Sequence, residues 1–481
     1  AAFGHLLPGI LHHQPFPFER LVEISYLLDD EGIYGSITGV SAVFVALFVI
    51  FGSFINVLGL GQYFIDLACR LTGQTVGGPA KVAVISSAFF GTISGSAAAN
   101  VYATGTFSIP LMVRMGYRPQ FAGAVEAAAS TGGQIMPPVM GAAAFLMAQI
   151  TQIPYLSICK AALVPALLYF LCVGLMVHYE AKKRRLPSMD PKEAVPWGRL
   201  MRDAYLVLPV VALLALMIIG YSPFMGAFAG TLVCLAISTF DRSRWMTPPR
   251  ILAALVDAAK NMIMIACACA GAGLVISVIL TTGFGLQLSN MVIGYSGGYY
   301  LPALFFIMVS AIILGMGLPT TAAYVLAISV GGPTLIEMGG QTLSVHLFVF
   351  FFAVMACVTP PVALAAYAGA ALARTDPMRT GLEASRIAAA GYIIPYLLVF
   401  NPGLLLQGNL GDVLLAVLVA LLGVYLLVLS LEGWMLTYLT MPERVALFLA
   451  ATWKRKRRCG SCASGEPSSA ARRSSWRTDV R

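Results

Sequence analysis

Long apolar runs alternate with short polar connections along this chain of 481 residues. Runs of about 20 residues recur, each long enough to cross a ~30 Å hydrocarbon layer. The pattern predicts membrane-crossing segments at about 37–60, 121–150, 154–179, 204–222, 224–240, 261–281, 345–373, 382–400 and 412–431. Two further apolar regions, 79–113 and 299–331, have a different texture. In the first, "GTISGSAAANVYATG" (Gly91 to Gly105) sets glycine, serine, threonine and asparagine where a simple span would carry Leu, Val and Ile. Composition settles the class. With 59% hydrophobic and 11% charged residues, the chain is expected to be an all-α polytopic membrane protein, and a soluble globular fold is excluded.

Charge then supplies an orientation. Lys182, Lys183, Arg184 and Arg185 follow one segment, Arg242, Arg244 and Arg250 another, Arg374 and Arg379 a third, and a KRKRR run occupies 454–458. The opposite connections, around 151–153, 221–223, 282–298, 332–344 and 401–411, contain no Lys or Arg. Basic connections belong in the cytoplasm, so the net charge of +9 reports topology rather than nucleic-acid binding. Lys160 is the exception, and it can snorkel from the outer end of its helix. This accounting closes only if 79–113 and 299–331 each enter and leave on one side, as re-entrant hairpins. From Pro79 to Ile93 is 15 residues, or ~22 Å of helix, which passes the midplane without emerging. Non-helical backbone at that depth is tolerated where it is buried in protein or lines a cavity.

The two hairpins also align with each other. A shift of 224 places Gly61 on Gly285, Gly73 on Gly297, Ser96 on Thr320, Ala98 on Ala322 and Ala99 on Ala323. A shift of 223 places Pro137-Pro138-Val139 on Pro360-Pro361-Val362 and Ala142-Ala143 on Ala365-Ala366. Five crossings lie between the hairpins, so the copies are expected to be inverted, the architecture of secondary transporters with substrate and ions at the repeat interface. The organisation is therefore read as an extracytoplasmic, irregular segment at 1–36, a first repeat at 37–240, a second, inverted repeat at 241–400, and C-terminal membrane segments at 401–453. A basic, disordered cytoplasmic tail at 454–481 completes it.

The breaks carry the chemistry. Pro137 and Pro138 have no N–H, so the carbonyls of Gly133 and Gln134 lose their helical donors. Pro360 and Pro361 do the same to Ala356 and Cys357, and Pro319 to Gly315. A bare carbonyl in low dielectric costs several kcal/mol and suits a desolvated cation. The half-helix N-termini after each break suit a carboxylate. Ser96, Asn100, Thr320, Thr321 and Thr359 add oxygens for either partner. The alternative is a pair of proline kinks packed on small residues. Glu126 reads either as an interfacial anchor or as a relay or gate residue. Gly91/Gly95 and Gly226/Gly230 form GxxxG pairs that serve close helix packing, with a dimer interface as the alternative.

Enzyme signals do not assemble. Gly294-Tyr295-Ser296-Gly297-Gly298 matches GxSxG, but a nucleophile elbow needs a strand before it and a His/acid pair nearby. Only five histidines exist, and no Walker A motif is present. Seven of nine cysteines lie in or beside apolar segments, and Cys459 and Cys462 form a lone CxxC in the tail. Neither a metal site nor a cofactor is expected beyond a coupling ion.

The stretches "GPAKVAVISSAFFGTISGSAAANVYATGTFSIPLMVRMGYRP", "GAVEAAASTGGQIMPPVMGAAAFLMA", "LGMGLPTTAAYVLAISV" and "ACVTPPVALAAYAGAALARTDPMRTG" resemble the membrane permease of tripartite ATP-independent periplasmic (TRAP) transporters. The resemblance is to TAXI-type permeases, in which the small and large membrane subunits are fused, and it covers roughly 17 to 450. It implies a multi-pass inner-membrane importer of organic acids, usually carboxylates, moving its hairpin domain like an elevator. The coupling ion would be Na+ or H+, and a periplasmic TAXI-type binding protein would deliver the solute. By resemblance the cation sites fall around Ser94, Ser96, Asn100, Gly133 and Gln134 in one copy. In the other they fall around Gly317, Thr320, Ala356, Cys357 and Thr359. The substrate acid is expected at Ser96, Asn100, Thr131, Thr320 and Thr321. Fused members carry further N-terminal helices for the small subunit, so the chain is expected to be a fragment or to need a separate small subunit. The other readings are a carrier independent of a binding protein, and a passive channel or structural membrane protein.

Overall fold

A computed structural model of the chain describes His5 and residues 14–28, 32–190, 195–242, 244–435 and 437–452. The acidic trio Asp29, Asp30 and Glu31, the basic run at 454–458 and Cys459 and Cys462 lie outside them. The described residues are built from helices, and the secondary structure otherwise amounts to one isolated bridge between Trp434 and Tyr438. Among the described residues six helical runs are long and apolar enough to cross a bilayer: one that ends at Leu58, then Tyr155–Arg184, Trp197–Ile219, Pro248–Thr282, Pro377–Phe400 and Leu410–Glu432.

Between them sit the interrupted elements. The first hairpin is Gly78–Ser94 followed by Ala97–Arg114. Seventeen residues of straight helix would separate Ser87 from Thr104 by ~25 Å, yet their hydroxyls are 3.0 Å apart. The chain therefore doubles back at Gly95, whose φ of +60° ends the first arm. The second hairpin is Tyr300–Gly315 followed by Thr320–Glu337. A Cβ on Gly331 would lie 2.6 Å from Ile307, so these arms also lie side by side. Its second arm runs six residues past the expected end at 331. Two broken helices complete the set: Pro119–Gly133 with Ala142–Thr151, and Thr342–Met355 with Leu364–Ala373.

Helices around the hairpins and breaks fall at a nearly constant offset in the two halves. Leu60–Thr72 and Phe284–Ser296 begin and end 224 residues apart. Each follows a left-handed glycine, Gly59 or Gly283, that stops the preceding helix. Neither helix was expected. Gln62, Asp66 and Arg70 dilute the first below a span's hydropathy, and the second falls in the segment read as the connection 282–298. The N-terminal region expected to be irregular instead holds Phe18–Val22 and a helical continuation, Glu23–Leu27. GxSxG lies at the C-terminal end of Phe284–Ser296, where Ser296 Oγ donates to the Ile293 carbonyl at 3.0 Å.

The core is organised around the leading halves of the two broken helices. Every residue from Phe121 to Gly133 is buried, and so is every residue from Leu343 to Met355. A helix covered on all sides is an inner element. They are held at close range by glycine. A Cβ on Gly369 would fall 2.5 Å from the Gly123 carbonyl oxygen, so the first half of one broken helix crosses the second half of the other at backbone contact.

Candidate functional site

Each hairpin turn abuts the break of its own repeat. In the first repeat, Val139 N donates to the Thr92 carbonyl at 3.2 Å, and a Cβ on Gly95 would meet the Met140 carbonyl oxygen at 2.6 Å. Behind the break, Tyr155 Oη donates to the Pro138 carbonyl at 2.9 Å and to that of Val139, anchoring the loop to the next helix. In the second, Gly317 turns with φ +75° beside Val362, and a Cβ on Gly315 would lie 2.8 Å from the Ala356 Cβ. Both Pro-Pro peptides, 137–138 and 360–361, are cis.

Bare carbonyls were expected at these breaks, and the structure corrects that. Met136 N donates to Gly133 O at 3.2 Å, Gly141 N to Gln134 O at 2.8 Å, Ala365 N to Cys357 O at 2.9 Å, and Leu318 N to Gly315 O at 3.3 Å. The chain curls tightly after each break, so nearby N–H groups replace the removed donors at these four carbonyls; the fifth expected one, that of Ala356, accepts none of these bonds. One lone pair on each carbonyl remains for a ligand.

The two repeats meet through Thr320. Its hydroxyl donates to Gln134 Oε1 at 2.6 Å and lies 3.9 Å from Cys357 Sγ. Three expected site residues, from both breaks and one hairpin turn, are thus in contact. Ser96 caps the second arm of its hairpin, accepting from Ala99 N at 3.5 Å. Buried Ser94 Oγ and Thr131 Oγ1 have no hydrogen-bond partner, so each has capacity for one. Thr359 is set apart, held by the Met355 carbonyl at 2.8 Å and by Tyr392 at 2.6 Å. Thr321 turns toward Cys269, 3.9 Å away on the long helix Pro248–Thr282.

Asn100 is fully buried, and it faces a second constellation. Its Nδ2 donates to the Ser87 carbonyl at 2.9 Å, and Thr104 Oγ1 lies 2.8 Å from its backbone carbonyl oxygen, which competes with Glu126 for the one hydroxyl proton. Next to them lies Glu126, 0% exposed. Ser87 donates to its Oε1 at 2.6 Å, Ser130 at 3.2 Å and Thr104 at still closer range, while Ser108 donates to Oε2. An interfacial anchor would reach water, so that reading of Glu126 is overturned. The sequence held a signal for this cage: Asn100, Thr104 and Ser108 recur every four residues along one helix face, and Ser130 sits one turn after Glu126.

The described residues hold no group of three or more His, Cys, Asp or Glu side chains placed to bind a metal ion. Apolar helices, paired breaks and uncharged polar turns together define a polytopic membrane protein whose two halves meet through buried polar side chains. Residues 15–411 match the model of the DctM component of tripartite ATP-independent periplasmic transporters, and the chain belongs to that family. It is 26% identical over 333 residues to the C4-dicarboxylate TRAP transporter large permease protein of Pseudomonas aeruginosa, covering 66% of this chain and 74% of that one. The isethionate TRAP transporter permease protein DctMQ of Oleidesulfovibrio alaskensis is 35% identical over 105 residues, 22% of this chain and 16% of that one. The sialic acid TRAP transporter large permease protein of Vibrio cholerae is 26% identical over 207 residues, 43% and 48% respectively. The chain is a TRAP large permease, a multi-pass inner-membrane protein and not an enzyme.

Proposed function

We propose that this permease imports an organic acid by cation-coupled secondary transport, taking it from a periplasmic binding protein of the TAXI type. The contact that carries the reading is Thr320 to Gln134, because it joins a hairpin turn of one repeat to the break of the other. Half-helix N-termini and hydroxyls around it favour a carboxylate, and the carbonyls of the breaks favour Na+, with H+ as the other candidate coupling ion. The two hairpins would be re-entrant from opposite faces and would travel with the site in an elevator movement. The relatives' names support an acid as cargo: C4-dicarboxylate, isethionate and sialic acid. A small membrane subunit, separate or fused, would complete the assembly.

Uptake of labelled succinate, isethionate and N-acetylneuraminate into proteoliposomes, with and without periplasmic extract, tests this. Uptake that needs both a sodium or pH gradient and the extract is expected. Gradient-driven uptake without extract would replace the reading with a carrier independent of a binding protein. Ungated leakage would replace it with a channel.

A further inference from the structure

We infer that Glu126 is the proton-carrying group of the transport cycle, bound and released within its cage of four hydroxyls. This rests on the reading of the chain as a cation-coupled transporter and identifies one coupling ion as H+.

The cage has the chemistry that a reversible proton site needs. Ser87, Thr104, Ser108 and Ser130 come from both arms of the first hairpin and from the first broken helix. A hydroxyl both donates and accepts by rotating about its C–O bond. All four can donate to a carboxylate; when the carboxyl gains a proton, one of them turns round and accepts it. Guanidinium or ammonium partners could not serve both states. A buried carboxylate with no cation beside it is expensive, and only hydroxyls surround this one.

Every hydroxyl oxygen lies at hydrogen-bond distance from a carboxyl oxygen, so hydrogen bonds fill the cage. Space beside the cage is closed as well. A Cβ on Gly105 would lie 3.0 Å from Glu126 Cγ and 3.1 Å from Leu372 on the second broken helix.

The charged groups on the surrounding elements stand further off. Lys81 precedes Ser87 by six residues, Arg114 follows Ser108 by six, and Arg118 precedes Glu126 by eight. Arg374 caps the helix that carries Leu372. Arg118 is engaged with Glu180 and Glu383, each at 3.4 Å.

The second repeat shows that the fold does not require the cage. Under the repeat shifts, Glu126 falls on Val349, Ser130 on Ala353, Ser87 on Ala311, Thr104 on Ile328 and Ser108 on Gly332. Acid and hydroxyls are lost together in that copy, so they form one functional unit. The cage also reaches the transport site: Thr104 and Ser87 hold Asn100, whose Nδ2 would touch a Cβ on Gly133 at 3.1 Å. A change of proton state at Glu126 reverses a hydrogen bond that ties the first hairpin to the first broken helix.

Infrared difference spectra between acidic and alkaline buffer, taken on the reconstituted protein, test the site without a substrate. A titrating protonated-carboxyl band that Glu126→Gln removes and Glu432→Gln leaves is expected. An identical spectrum for Glu126→Gln overturns the inference. In the proteoliposomes above, Glu126→Gln is expected to lose accumulation driven by a pH gradient while still exchanging labelled for unlabelled acid, and Glu126→Asp to recover part of it. A structural role would depress both activities together, as would misfolding, which size-exclusion chromatography reports. Accumulation by Glu126→Gln equal to wild type, driven by sodium alone, sinks the proton carrier and leaves the transporter standing. Failure of the wild type to move any of the acids sinks the transporter reading, and the infrared band still decides Glu126.

Discussion

Thr320 has two polar neighbours, Gln134 and Cys357, and almost no solvent. Replacing it with leucine removes the hydroxyl that joins the repeats and adds bulk to a closed site. Thr320→Leu is expected to abolish uptake while the protein still inserts, and Ser96→Leu likewise; wild-type uptake by both variants would refute the proposed site. Thr320→Ser keeps the donor and should retain most activity. Gly133 offers a different measurement, because a Cβ there would sit 2.6 Å from the Gly91 Cα. Backbone cannot step aside as a side chain can, so Gly133→Ala should cost about 1–3 kcal/mol, visible as a lower melting temperature in detergent. At this scale the sequence was partly legible. Serine and threonine stand out in an apolar run, so Ser96 and Thr320 were found. The cage around Glu126 was only half visible: the four-residue spacing of Asn100, Thr104 and Ser108 and of Glu126 and Ser130 marks two faces, but that these faces and Ser87 meet is a matter of packing between three helices.

Helices that differ most from their expected form are the two short ones that follow a left-handed glycine. Leu60–Thr72 and Phe284–Ser296 escaped notice because averaged hydropathy rewards uniform runs, whereas Gly59 and Gly283 mark their starts clearly once known. Long spans such as Tyr155–Arg184 were legible because nothing interrupts their apolar pattern. Helix ends also create an ion-pair cluster that pattern reading missed. Arg386 bonds Glu432 and Glu383, each at 3.0 Å, and Glu180 is bound by Arg184 at 2.5 Å and Arg118 at 3.4 Å. The Glu432 side chain is 0% exposed. Removing its partner strands a buried charge, so Arg386→Ala should destabilise by about 3–5 kcal/mol. Arg20→Ala breaks the half-exposed pair with Glu23 and should cost less than about 1 kcal/mol. Thermal melts of the two variants side by side check the contrast.

For the whole molecule, the repeat was the most legible feature, because glycines and paired prolines punctuate both copies at a nearly constant offset. What the offset cannot give is the direction of each copy relative to the bilayer; that came from the distribution of Lys and Arg. It can be measured directly. In a cysteine-free background, single cysteines at 75 and 114, both exposed and flanking the first hairpin, should resist an impermeant maleimide added to spheroplasts. Cysteines at 298 and 338, flanking the second, should react. Reaction at only one position of either pair would mean that the hairpin crosses the membrane, and the inverted arrangement would fall.

The meeting of Gly123 with Gly369 bears on how such a machine could move. Two rods that touch main chain to main chain, with no side chains between them, have no soft layer in which to slip or tilt. They are riveted at that point. In the proposed elevator movement a stroke of one broken helix would carry the other with it, so that the two halves of the proposed site would ride as a single cargo block instead of opening like jaws.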